Sequence, residues 1–167
     1  MSELRNVPAK IWVVSDTHLR SDQILPDSFT RRVVREDIII HLGDFVSLEI
    51  IKQLRVIARL EAISGNCDPS SIRRLFPANK VIDIAGYKIG LAHGKGGYIE
   101  TIKGVEKQFK GKVDVVLFGH THGPYHAKSD GTVFFNPGSL SMSRQGPESF
   151  GLLHLDNEGV WGEVIEL

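Results

Sequence analysis

The chain has 167 residues, and its 20 basic and 20 acidic side chains cancel, so one domain with its own core is expected over residues 1–167. That balance excludes a global field drawing the chain along nucleic acid or onto an anionic membrane. The single cysteine, Cys67, excludes an internal disulfide, and no apolar run approaches the roughly 18 residues of a membrane span. Glu3, Arg5 and Lys10 break any N-terminal apolar stretch, so a reducing cytoplasm is the expected location.

Runs rich in β-branched residues predict strands at Ile11–Val14, Ile38–Leu42, Val81–Ile84, Ile89–Ala92, Val113–Phe118, Val133–Phe135, Phe150–Leu155 and Val160–Ile165. Leu48, Ile51, Leu54 and Ile57 recur at helical spacing, as do Ile99, Ile102, Val105 and Phe109. Near-continuous apolar strands imply cover on both faces. Alternation of strand and helix in the first half predicts parallel strands, and short Gly, Asp and Asn turns from Val133 onward predict antiparallel pairs. The expected fold class is an α/β sandwich.

Polar groups appear where the apolar runs stop, at the carboxyl strand ends where open α/β sheets gather ligands. The first run ends in Asp16-Thr17-His18, with a carboxylate and an imidazole on the same side of extended backbone. Gly43-Asp44, Gly65-Asn66-Cys67-Asp68, His93-Gly94 and Gly119-His120-Thr121-His122 follow in order. Mixed imidazole, carboxylate and amide donors suit manganese, iron, cobalt, nickel or zinc better than calcium or magnesium.

Taken together, Asp16-x-His18, Gly43-Asp44, Gly65-Asn66-x-Asp68, His93-Gly94 and Gly119-His120-x-His122 resemble the calcineurin-like metallophosphoesterase signature over nearly the whole chain. Gly65-Asn66-Cys67-Asp68 and Asn136-Pro137-Gly138-Ser139 make it similar to the small prokaryotic phosphodiesterase branch. The resemblance implies a four-layer α-β-β-α sandwich of two mixed sheets flanked by helices. It assigns Asp16, His18 and His122 to one metal, Asn66, His93 and His120 to another, and Asp44 to a bridge. Two divalent ions, manganese first and iron, zinc, nickel or cobalt as alternatives, would share a hydroxide for in-line attack on phosphorus. The implied substrate is a small phosphate ester, a diester foremost, with a phosphomonoesterase or nuclease as alternatives. Without a Lys/Arg stripe interleaved with aromatics, extended nucleic acid is not expected; a homo-oligomer is left open. The resemblance extends to the metallophosphoesterase-like subunit of the retromer complex, a scaffold with a degraded metal set, so a non-catalytic binding module is the competing reading.

Asn66, Cys67 and Asp68 are the candidate catalytic residues. Cys67 stands where many relatives carry a histidine implicated in protonating the leaving oxygen. It reads either as a weak acid or, given cysteine's preference for burial, as a packing residue. Without a strong acid, diesters with good leaving groups are favoured. Asp68 either accepts the outward N–H of a ligand imidazole or shapes the turn ahead of Pro69-Ser70-Ser71. Lys95 replaces the second histidine of a His-Gly-His pattern and reads as a solvated loop lysine or a phosphate contact. His41, inside an apolar run, reads as a core or supporting imidazole. His126 and His154 read as structural or exposed groups, Arg20 and Arg144 as surface groups or substrate contacts, and Asn136 and Ser139 as a hydrogen-bonded turn beside the centre.

Overall fold

The computed structural model describes residues 10–167. Its elements run β1 (Ile11–Val14), α1 (Asp27–Thr30), β2 (Ile38–His41), α2 (Leu48–Ile57), β3 (Arg59–Ala62), α3 (Ser70–Arg73), β4 (Asn79–Ile84) and β5 (Tyr87–Ala92). There follow α4 (Tyr98–Phe109), β6 (Val115–Phe118), β7 (Pro124–Ser129), β8 (Thr132–Pro137), β9 (Ser149–Asp156) and β10 (Gly159–Glu166). One sheet has the order β10-β9-β1-β2-β3, with β1, β2 and β3 parallel, β9 antiparallel to β1, and β10 antiparallel to β9. The other has the order β4-β5-β6-β8-β7, with β5, β6 and β8 parallel and an antiparallel strand on each edge.

Period-two alternation explains the layering. On β1, Ile11 and Val13 face the second sheet, where Ile89, Leu91, Leu117 and Phe135 meet them. Trp12 and Val14 face outward, against Phe29, Ile50, Ile51, Leu54 and Ile72 of the helices. Across the second sheet, Val116, Phe118 and Phe134 receive Val105 and Phe109 of α4. Central strands are therefore apolar on both faces, and the expected four-layer sandwich is what forms. The two sheets approach closely because Phe135 inserts against glycines. A Cβ on Gly151 would lie 2.5 Å from its ring, and one on Gly162 would overlap it. Gly90 makes the same room for Phe109. At the start of α2 the Ser47 hydroxyl accepts the Glu49 N–H at 3.2 Å, a capping bond that fixes where the helix leaves the Asp44 turn.

Two strands lie outside the predicted set, and both are sheet edges: β3, with the sequence Arg-Leu-Glu-Ala, and β7, which carries Tyr125, His126 and Lys128. One pairing is corrected. The Val133–Phe135 segment forms its antiparallel hairpin with upstream β7 and lies parallel to β6, so antiparallel order from Val133 onward holds only for β9 and β10. Boundaries move slightly, with Leu42 and Val113 outside strands and β4 starting at Asn79. The short α1 and α3 were also unforeseen. Among the described residues no helix is long and apolar enough to cross a membrane.

Candidate metal centre

The carboxyl ends of β1, β2, β5 and β6 deliver their loops to one point. Asp16 N–H donates to the Gly43 carbonyl and His18 N–H to the Asp44 carbonyl, both at 3.0 Å, and Gly119 N–H reaches the His93 carbonyl at 3.2 Å. The backbone there is unusual. Among the described residues eight non-glycines have positive φ, and six of them, Asp16, His18, Asp44, Val46, His120 and His122, belong to these loops. A left-handed L-residue costs about 1–2 kcal/mol, and such strain persists where the surroundings over-determine it, as at ligand-binding sites. Gly43, at φ 96°, and Gly65 allow the loops to touch: a Cβ on Gly43 would lie 2.6 Å from the Gly65 nitrogen.

Asp16, His18, Asp44 and His122 present donor atoms within 4.8 Å of one another. His122 Nδ1–H donates to the Met142 carbonyl at 2.6 Å, which turns Nε2 toward Asp16 Oδ1, 3.1 Å away. Asp16 Oδ2 accepts from the Ser15 hydroxyl at 2.5 Å and from His120 N–H at 3.0 Å. Its Oδ1 and the Nε2 of His18 are buried without a hydrogen-bond partner. Stranding a polar atom in this way costs about 1–3 kcal/mol, and both orphans face the same cluster. The donor set therefore fits a divalent cation.

A second convergence adjoins the first. His93 Nδ1–H donates to the Leu42 carbonyl at 2.7 Å and His120 Nε2–H to the Gly96 carbonyl at 2.9 Å. Their remaining nitrogens, His93 Nε2 and His120 Nδ1, each lie 3.0 Å from Asn66 Oδ1. With neutral rings, three lone pairs point at one another without a proton to share. Asp44 stands between the groups. Its Oδ2 is 3.4 Å from His18 Nε2 and 3.3 Å from His93 Nε2, while Oδ1 accepts the Cys67 N–H at 2.8 Å. All seven residues predicted as ligands thus meet in one centre.

Electrostatics shows what the cluster lacks. Burial pushes Asp16 and Asp44 upward, yet the imidazoles of His122 and His18 beside Asp16, and of His18 and His93 beside Asp44, hold both well below the usual carboxylate range. Asp16, then Asp44, raise His18 to about 9 against the opposing effect of burial. Burial also opposes charge on His93, but Asp44 and Asp16 outweigh it and raise its pKa. A metal ion at this cluster would take the place of the His18 proton beside the two carboxylates.

The other sequence candidates fall into place around this core. Asp68 meets no imidazole; its carboxylate accepts N–H groups of Asp44 at 3.0 Å, Val46 at 2.9 Å and Gly65 at 2.7 Å, pinning two loops together. Cys67 is exposed rather than packed, with Asn66 Nδ2 at 3.4 Å from its sulfur. Partial burial and then Asp44 push its thiol pKa up. Asn136 Nδ2 donates to the Gly119 carbonyl and Thr121 hydroxyl, both at 3.0 Å, and the Ser139 hydroxyl donates to the Asp16 carbonyl at 2.8 Å, so this turn braces the site. Lys95, His126 and Arg144 are exposed, Arg20 pairs with exposed Asp22, and His154 pairs with Glu163. Unforeseen supports are Ser15, Arg73, whose guanidinium donates to the Asn66 carbonyl at 2.6 Å, and the carbonyls of Leu42, Gly96 and Met142. Arg73 falls four residues beyond Pro69, in a short helix that its sequence does not announce.

Comparison with known proteins agrees with this geometry. Residues 10–158 match the model of the calcineurin-like phosphoesterase superfamily domain. The chain is 29% identical over 160 residues to a probable metallophosphoesterase of Methanothermobacter thermautotrophicus, covering 93% of this chain and 91% of that one. It is 27% identical over 170 residues to a phosphodiesterase of Methanocaldococcus jannaschii, covering 94% and 99%. Among solved structures, Vps29 of Entamoeba histolytica complexed with zinc superposes with a TM-score of 0.71 at 25% identity, covering 94% and 98%. The chain belongs to the calcineurin-like phosphoesterase superfamily.

Proposed function

We propose that the chain is a two-cation phosphoesterase that hydrolyses small phosphodiesters. The observation that carries this reading is the position of Asp44 Oδ2, between His18 Nε2 of one donor group and His93 Nε2 of the other at nearly equal distances. Asp16, His18 and His122 would hold one ion, Asn66, His93 and His120 the second, and Asp44 would touch both. When bound, two divalent ions supply an activated water and neutralise charge on the phosphoryl oxygens. Manganese is the first choice for this nitrogen–oxygen set. Two ligand carboxylates leave four cationic charges only half neutralised, so the site attracts a phosphate although the chain is neutral overall.

The chain's own residues shape the rest. Arg73 holds the Asn66 backbone and adds a fixed positive charge at the rim. Cys67 sits exposed on the same rim, and its raised pKa keeps it a thiol at neutral pH. A thiol is a weak proton donor beside an imidazolium, which favours diesters with good leaving groups. An exposed thiol also suits a reducing cytoplasm. The relatives named as phosphodiesterases support the ester class.

Protein stripped of metal and reloaded with manganese is expected to hydrolyse bis(4-nitrophenyl) phosphate faster than 4-nitrophenyl phosphate, and Asp44→Ala to abolish both activities. The likeness to Vps29 supports a second reading, a binding module on the same fold. Failure of any metal to produce turnover across diesters and monoesters would favour it.

A further inference from the structure

His41 is fully buried on β2 and belongs to neither donor group. Its ring stacks on Phe45 at 3.5 Å between centroids, and Phe45 in turn stacks on Phe76, within the layer packed by Ile39, Ile50 and Leu54. An apolar side chain would be the low-cost occupant of such a place, because desolvating an imidazole is unfavourable unless both nitrogens are satisfied. Here both are, and each partner lies in a loop that carries proposed ligands. Gly43 N–H donates to Nδ1 at 3.1 Å. An amide can only donate, so Nδ1 carries no proton and the neutral ring is protonated at Nε2. Nε2–H then faces the Thr17 hydroxyl at 3.2 Å, and that hydroxyl donates to the Asp44 carbonyl at 3.4 Å. The chain of bonds runs in one direction, from the Gly43 amide through His41 and Thr17 to the Asp44 carbonyl.

Thr17 separates the ligands Asp16 and His18, and Asp44 is the carboxylate both donor groups face. The three ligand positions on these loops have φ of 51°, 44° and 61°, conformations that hold only when the surroundings impose them. We infer that His41 is a positioning residue: by tying the Gly43–Asp44 turn to the Thr17 hydroxyl, it sets the spacing between the β1 and β2 loops and so lets Asp44 serve two ions at once. This inference rests on the two-cation reading.

Three variants separate positioning from bulk packing. His41→Phe keeps the ring and its stack on Phe45 but removes both bonds. His41→Asn keeps an acceptor for Gly43 N–H and stops short of Thr17. Thr17→Val removes only the hydroxyl and leaves the core untouched, so it remains informative if His41→Phe fails to fold. Each is titrated with manganese by calorimetry, with paramagnetic resonance reporting whether the two ions are spin-coupled. Loss of a supporting hydrogen bond to a metal site costs about 10–100-fold in affinity. His41→Phe and Thr17→Val should each weaken the second equivalent by that order and lose spin coupling, with circular dichroism unchanged. The double variant should be no worse than either single one, because both cut the same chain, and His41→Asn should recover part of the loss. Variants that melt lower yet bind two coupled ions as the wild type does would overturn the inference. If the wild type itself binds one ion, the two-cation reading fails on that result alone. Unchanged affinity for that ion across the variants would then refute the role of His41 separately.

Discussion

Gly65 lies outside the ligand set, but its missing side chain is what lets the third loop reach the centre. A Cβ added there would stand 2.5 Å from the Asp44 nitrogen and 2.8 Å from its carboxyl carbon, and would overlap Oδ1. Bringing the nitrogen contact out to the 3.4 Å at which ordinary contact begins requires about 0.9 Å of movement. Neither partner is free to give way. Gly65 N–H is held by Asp68 at 2.7 Å, and Asp44 by Asp68 at 3.0 Å and by the Cys67 N–H at 2.8 Å. Overpacking of this kind costs about 1–3 kcal/mol, which lowers the melting temperature of a chain this size by about 2–12 °C. Displacing a reacting group by 1 Å costs about 10²-fold in rate. Gly65→Ala should therefore fold, lose about 10²-fold in diesterase kcat and bind manganese more weakly. Gly104→Ala provides the comparison: with nothing within 4 Å of its Cβ, it sits inside α4 and should stabilise the fold by about 0.5–1 kcal/mol without changing activity. A folded Gly65→Ala with wild-type kcat and manganese affinity would refute the reasoning.

Three further outcomes follow from the same geometry. Because His18 is raised from 6.5 to about 9, its pairing with Asp16 and Asp44 stabilises the cation-free fold fully below about pH 6.5 and is lost as the pH rises through about 9. Metal loading must displace that proton, so affinity should climb with pH across this window. Calorimetry in buffers of different ionisation enthalpy should detect at least one proton released at pH 7.5, and release of none contradicts the assignment. Gly162→Ala should destabilise the fold by about 1–3 kcal/mol through overlap with Phe135, and adding Phe135→Leu should recover part of the loss in denaturant melts. Cys67→His should raise the rate on esters with poor leaving groups toward the roughly 10²-fold that a positioned acid supplies. Activated diesters should change little, and an unchanged ratio between the two ester classes removes the thiol from the leaving-group step.

The sequence announces the parts of this molecule in which chemical type and periodicity coincide. Ile11–Val14 and Val115–Phe118 are apolar on both faces and break off in Asp or His, so strand, burial and ligand position are all visible before folding. Edge strands β3 and β7 are half solvated and carry Arg59, Glu61, His126 and Lys128, and they show no such run. The parallel pairing of β8 with β6 is likewise hidden, because local turns specify only its hairpin with β7. In the site the seven donors were legible by type, but what orients them was not. The groups that fix the histidine tautomers are the carbonyls of Leu42, Gly96 and Met142, which every residue possesses. Asp68 illustrates the same limit: its spacing allowed an imidazole partner, and only the folded loops reveal that it collects three backbone amides instead.

The most direct test is a manganese titration of stripped protein, with diester hydrolysis followed in the same sample. Two donor groups sharing Asp44 predict a rate that rises as the second equivalent binds and saturates at two ions per chain. A rate that saturates at one, or no hydrolysis at any loading of a folded protein, contradicts the account.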